Sequence, residues 1–226
     1  AGSASHLLEE LKRGSVWMVT GGARGVTAAC AQQLAARYGV TLALVGSTQP
    51  AEIDPALLAL DAAGLKKLKG ETMVAAKNRG EDPRKAWGKI EKSLEIHRTL
   101  AALSAAGAAA HYEVCDLANA SQVKQLVNRV THNLGPVRGL IHGAGYEASC
   151  RFSKKTPEGL AATLGPKCDG LAHLLHALQA APLGQLVAFG STSGRFGGHG
   201  QADYSAANDL LAKQVVDARQ RTGLAA

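Results

Sequence analysis

Little in this sequence calls for a membrane, a metal or a disulfide. No run of about 18 apolar residues occurs, and the first residues lack a basic segment followed by an apolar one. Neither a spanning helix nor a secretion signal is therefore indicated, and a cytoplasmic location is expected. The four cysteines, Cys30, Cys115, Cys150 and Cys168, lie far apart with no Cys-x-x-Cys pair, which speaks against zinc and for reduced thiols. Aromatic residues make up only 4% of the chain, and its basic residues are dispersed rather than interleaved with them. With no recognised binding motif either, nucleic acid is not an expected partner. The formal net charge of +7 still favours anionic partners of another kind.

Hydrophobic residues, at 46% of 226, are enough for one sizeable core. Val16–Thr20 reads as an apolar strand, followed at once by Gly21-Gly22-Ala23-Arg24-Gly25-Val26-Thr27 and a helix from Ala28 to Tyr38 that stops at Gly39. Strand, glycine turn and helix make a phosphate cradle, because glycines let backbone N–H groups approach a pyrophosphate at a helix N-terminus. Thr41–Val45 is the second strand, and its end, Gly46-Ser47-Thr48, offers no acid to hold a ribose 2′-hydroxyl. Arg24 in the turn is placed to meet a 2′-phosphate instead, so NADP(H) is the expected cofactor.

Residues 49–92 hold Pro50, Pro55 and Pro83 among mixed charges and exceed the ordinary strand-to-helix connection of about 2–6 residues. They read as an insertion, with Ala56–Leu68 and Arg84–Leu94 as helical pieces, serving either as a solvated elaboration or as a docking surface. The pattern resumes with helix Leu94–Ala106, strand Ala109–Val114, the Cys115-Asp116-Leu117 turn, helix Ser121–Leu134 and strand Val137–Ile141 running into His142-Gly143-Ala144-Gly145. Thr156-Pro157 opens a helix that continues through Lys167 to Leu178, and Gln185–Phe189 is a fifth strand.

Ser191 lies just past that strand, and Tyr204 and Asn208, four apart, share one face of the helix that follows. Ser191 precedes Tyr204 by 13 residues, and Lys167 precedes Ser191 by 24. At these positions the chain resembles the ketoreductase domains of polyketide synthases and related multidomain synthases, a branch of the short-chain dehydrogenase/reductase superfamily. Ordinary members carry Tyr-x-x-x-Lys, whereas the synthase ketoreductases place Asn there and bring Lys from the preceding helix, as here. The glycine turn and the insertion are similar to those of polyunsaturated fatty acid synthases.

The resemblance implies an α/β, Rossmann-like, doubly wound parallel sheet over residues 16–226, truncated before the last strands and lid, with residues 1–15 as a lead-in. It implies NADPH-dependent reduction of a 3-ketoacyl thioester on the phosphopantetheine of an acyl carrier protein, amid neighbouring synthase domains. Tyr204 would donate the proton, Ser191 would hold the carbonyl oxygen, Lys167 would assist Tyr204, and Asn208 would support Lys167 or a water that relays protons. Thr20, Gly21, Gly22, Arg24, Gly25, Val26, Ser47, Asp116, Leu117, Gly143, Ala144 and Gly145 would meet the cofactor, and no metal is implied.

Four departures stand out. Thr27 replaces the last glycine of the turn, Ser47 stands where Arg is common, and His142-Gly143-Ala144-Gly145 replaces Asn-Ala-Ala-Gly. Neither stereochemical marker is present, with Glu147-Ala148-Ser149 and Phe196 at those places. A non-catalytic ketoreductase-like scaffold and a free-standing dehydrogenase of small alcohols are the competing readings.

Overall fold

The computed structural model describes residues 11–179, 183–222 and 224. Most of the lead-in lies outside the described residues. Strands β1 (Val16–Thr20), β2 (Thr41–Gly46), β3 (Ala110–Val114), β4 (Val137–His142) and β5 (Gln185–Ala188) form one sheet in the order β3-β2-β1-β4-β5. All four pairings are parallel. Alternation along the central strands feeds two cores: Val16, Met18, Ala43 and Val45 enter one, while Trp17, Val19, Leu42 and Leu44 enter the other.

Helix α1 (Gly25–Tyr38) covers the second face through Ala31 and Ala35. On the first face, α5 (Ala120–Leu134) contributes Val123, Leu126, Val127 and Val130. The chain winds outward from β1 to β3, then crosses back to place β4 on the other side of β1. That reversal opens a crevice at the carboxyl ends of β1 and β4, where ligands of such sheets bind.

The insertion is more regular than its sequence indicates. After a one-turn helix α2 (Pro55–Leu58), helix α3 (Ala62–Asn78) runs ten residues past the expected Leu68. Helix α4 (Pro83–Ala105) then joins the second expected piece to the next ordinary helix in one span of 23 residues. The continuity has a physical reason: Pro83 sits at the start, where its missing N–H costs nothing, and Asp82 accepts hydrogen bonds from the N–H groups of Arg84 and Lys85. Buried Trp87, with its Nε1 on Glu91 and the Lys69 ammonium 5.7 Å from its ring centre, helps hold the helix pair together.

A second difference falls on the helix expected from Thr156 to Leu178. It is split into α6 (Pro157–Leu164), a π-turn over Gly165–Asp169, and α7 (Gly170–Ala177). Pro166 has no N–H to bond one turn back, and its ring would crowd the carbonyl of Ala162. Widening the turn relieves both. Beyond β5 lie the one-turn helix α8 (Ser193–Phe196) and α9 (Ala202–Thr222).

Candidate active site

The glycine turn after β1 meets the turn after β4 backbone to backbone. Gly21, at φ +70°, has no room for a side chain, since a Cβ would fall 2.8 Å from the carbonyl oxygen of Gly143. A Cβ on Gly143 would in turn lie 2.5 Å from Thr27 Oγ1. The threonine that departs from the glycine pattern thus shapes helix-to-sheet packing. Arg24 is the extended N-cap of α1 and makes no side-chain cap bond, so the first N–H groups of that helix are left for an anion.

A cavity of about 750 Å³ runs from this turn across the ends of β2 and β3 to Gly143, Ala144 and Gly145. Gly21, Arg24, Ser47, Asp116 and Leu117 line it. Asp116 Oδ1 accepts the N–H of Ala118 at 3.0 Å, so the aspartate braces its own turn while standing on the wall. Gly22 is pressed against Val19, and Val26, 75% exposed, faces an adjoining cavity. An elongated slot with glycine backbone at one wall and a helix N-terminus at its mouth fits a dinucleotide.

The adjoining cavity, about 700 Å³, shares Gly143 and Gly145 with the first and is lined by Lys167, Phe189 and Tyr204. Lys167 is 4% exposed, donates from Nζ to the Phe189 carbonyl at 3.0 Å, and sits 5.8 Å from the centre of the Tyr204 ring. A Cβ on Gly145 would stand 3.1 Å from Lys167 Cε, so that glycine makes room for the lysine. Burial pushes the Lys167 ammonium below its ordinary value.

Ser191 Oγ accepts hydrogen bonds from Ser193 Oγ at 2.9 Å and Ser193 N at 3.2 Å, which leaves its own hydroxyl proton free to donate. Asn208 is buried on the Tyr204 face of α9 as the spacing requires, but its Nδ2 donates to the Tyr204 carbonyl at 2.8 Å. No hydrogen bond joins Asn208 to Lys167 among the described residues. A short amide one turn along a helix reaches back to the backbone more readily than across to a neighbouring helix.

Thr20 and His142 do something the sequence did not reveal. His142 Nε2 lies 2.8 Å from the Lys167 carbonyl, which only accepts, so Nε2 carries the proton. Its Nδ1 then accepts from Thr20 Oγ1 at 2.9 Å, and Thr20 Oγ1 accepts the Ala144 N–H at 3.2 Å. This buried relay fixes the π-turn that carries Lys167 to the floor of the cavity. Thr20, fully buried, acts on the site through His142 rather than from the cavity wall.

Burial first, and the Lys167 charge with it, pull the His142 pKa down from 6.5 to about 4. Well above pH 6.5 the ring is neutral folded or unfolded. As pH falls towards 4, the unfolded chain takes up a proton that the folded chain refuses, so stability is lost across that window. The expected loss is roughly 1.4 kcal/mol per pH unit. Denaturant titrations should show that slope shrinking in His142→Asn, and equal slopes would refute the assignment.

Two further groups escaped sequence reading. Lys155 Nζ binds buried Asp203 at 2.6 Å and the Ala148 carbonyl at 3.2 Å. Asp203 also accepts the Tyr204 N–H at 2.8 Å. Burial alone would raise the Asp203 carboxyl, but these bonds hold it below its ordinary value. The pair pins the helix turn that carries Tyr204. Glu95, on α4, forms an ion pair with Arg24 Nε. Nothing local in the sequence pointed to partners 48 and 71 residues distant.

The KR domain family matches residues 15–226. A polyunsaturated fatty acid synthase polypeptide of Thraustochytrium sp. is 30% identical over 215 residues, covering 90% of this chain and 8% of that protein. A phenolphthiocerol synthesis polyketide synthase type I of Mycobacterium marinum is 33% identical over 185 residues, 82% of this chain and 8% of that protein. This chain therefore spans a small part of the relatives it matches. Among solved structures, a ketoreductase domain from the bacillaene assembly line has 26% identity and a TM-score of 0.68 over 93% of this chain and 41% of that one. An N-terminal ketoreductase from the macrolactin assembly line has 25% identity and a TM-score of 0.69 over 93% of this chain and 35% of that one.

Proposed function

The chain belongs to the KR domain family, and we propose that it uses NADPH to reduce the 3-keto group of an acyl thioester, carried on an acyl carrier protein within a multidomain synthase. One observation carries this reading: the Lys167 ammonium lies over the Tyr204 ring in a cavity that adjoins the glycine-turn slot and shares Gly143 and Gly145 with it. The glycine turn, Ser47, Asp116 and the Gly143–Gly145 turn would hold the nicotinamide cofactor, which when bound supplies the hydride for the carbonyl carbon.

The protein's own part is to position the ketone and supply the proton. As the carbonyl oxygen gains electrons, the Tyr204 O–H bond breaks and its proton passes to that oxygen. Ser191 donates a hydrogen bond to the same oxygen and holds it in line. The Lys167 cation stabilises the charge left on the tyrosine oxygen, which solvent then reprotonates. An acidic carrier protein suits the net charge of +7.

The test is NADPH oxidation with a 3-ketoacyl thioester and, separately, with trans-1-decalone. Turnover with a strong thioester preference is the expected result. A folded protein that binds NADPH but reduces neither substrate would be a scaffold. Equal use of both would mark a free-standing reductase of simple ketones.

A further inference from the structure

The end of the cavity beside β2 carries two cations from separate segments, Arg24 of the glycine turn and Lys92 of α4. We propose that Lys92, supplied by the helical insertion, determines the preference for a 2′-phosphorylated nucleotide, in partnership with Arg24. The proposal rests on the NADPH reading above.

The position directly after β2 cannot do this work, because Ser47 and Thr48 stand there without charge. Lys92 is exposed on the wall of the same cavity as these two hydroxyls and has no ion-pair partner among the described residues. It is also held in place. Ser93, the next residue, accepts the Ala51 N–H at 3.0 Å, His97 Nε2 bonds the Ala51 carbonyl at 2.9 Å, and Thr99 Oγ1 donates to the Ala23 carbonyl at 2.9 Å. One helix is thereby fastened both to the segment that follows β2 and to the glycine turn.

Glu95 completes the arrangement. By taking Arg24 through Nε it leaves the two terminal amino groups of the guanidinium for another anion. A phosphate dianion between Arg24 and Lys92 would gain two charged donors from two segments that are fastened to each other. A ribose bearing only a 2′-hydroxyl finds no carboxylate in the segment after β2 to hold it.

Calorimetry with adenosine 2′,5′-bisphosphate and with 5′-AMP isolates the phosphate from any turnover. The intact protein is expected to prefer the bisphosphate at least about tenfold. Lys92→Gln is expected to cut that preference by about tenfold, the worth of one charge-assisted bond, with 5′-AMP binding unchanged. Lys92 is exposed, so its loss leaves folding intact, and a thermal melt checks this. If Lys92→Gln keeps the preference while Arg24→Ala abolishes it, the NADPH reading stands and the role of Lys92 is overturned. If the intact protein shows no preference, both fall together.

Discussion

Tyr204→Phe is expected to lower turnover by about 10²–10⁴, the usual worth of a positioned acid, while the protein folds and binds NADPH as before. The substitution removes a single oxygen from a half-buried ring, and among the described residues no hydrogen bond to that oxygen is lost with it. The ring stays beneath the Lys167 ammonium, since that contact is to its face. The Lys155–Asp203 pair continues to hold the helix turn. Steady-state rates with a 3-ketoacyl thioester, set beside calorimetric NADPH affinity, separate chemistry from binding. Near-normal turnover in a folded, cofactor-binding variant would remove Tyr204 from the proton-donor role.

Much of the fold was legible because it depends on local pattern. The short apolar runs of β1, β2, β4 and β5 and the glycine turn name their elements from neighbours a few residues away. The five parallel strands follow from their alternation with helices. The synthase-type placement of Lys167, Ser191, Tyr204 and Asn208 led to the KR domain family, and the family match agrees. What sequence could not supply were partners chosen by tertiary contact. Glu95 answers Arg24, Lys155 answers Asp203, and His142 answers the carbonyl of Lys167 across 25 residues. The π-turn was missed for a related reason. Pro166 signals a break in the helix, but whether the chain kinks, ends or widens there is decided by what it packs against. Here Gly165 and Gly170 close onto Ala118 and Leu117, and the widened turn lets the helix resume.

Lys167→Met should separate function from stability with opposite signs. The ammonium has been taken out of water and given one carbonyl, that of Phe189, and the face of one ring. A carbonyl and a cation–π contact worth about 0.5–2 kcal/mol offset only part of the desolvation of a buried charge. Methionine is unbranched, apolar and similar in volume, and exchanging a buried charge for such a side chain is often neutral or stabilising. The denaturation midpoint is therefore expected to stay level or rise. Turnover is expected to fall at least about a hundredfold, because the charge proposed to support proton release from Tyr204 is gone. His142 bonds the backbone carbonyl of residue 167 rather than its side chain, so the π-turn survives the exchange. A variant that loses stability and keeps its activity would show that Lys167 serves packing alone. A variant that loses activity and holds its midpoint would show a site that accepts the cost of a buried cation for the sake of one proton transfer.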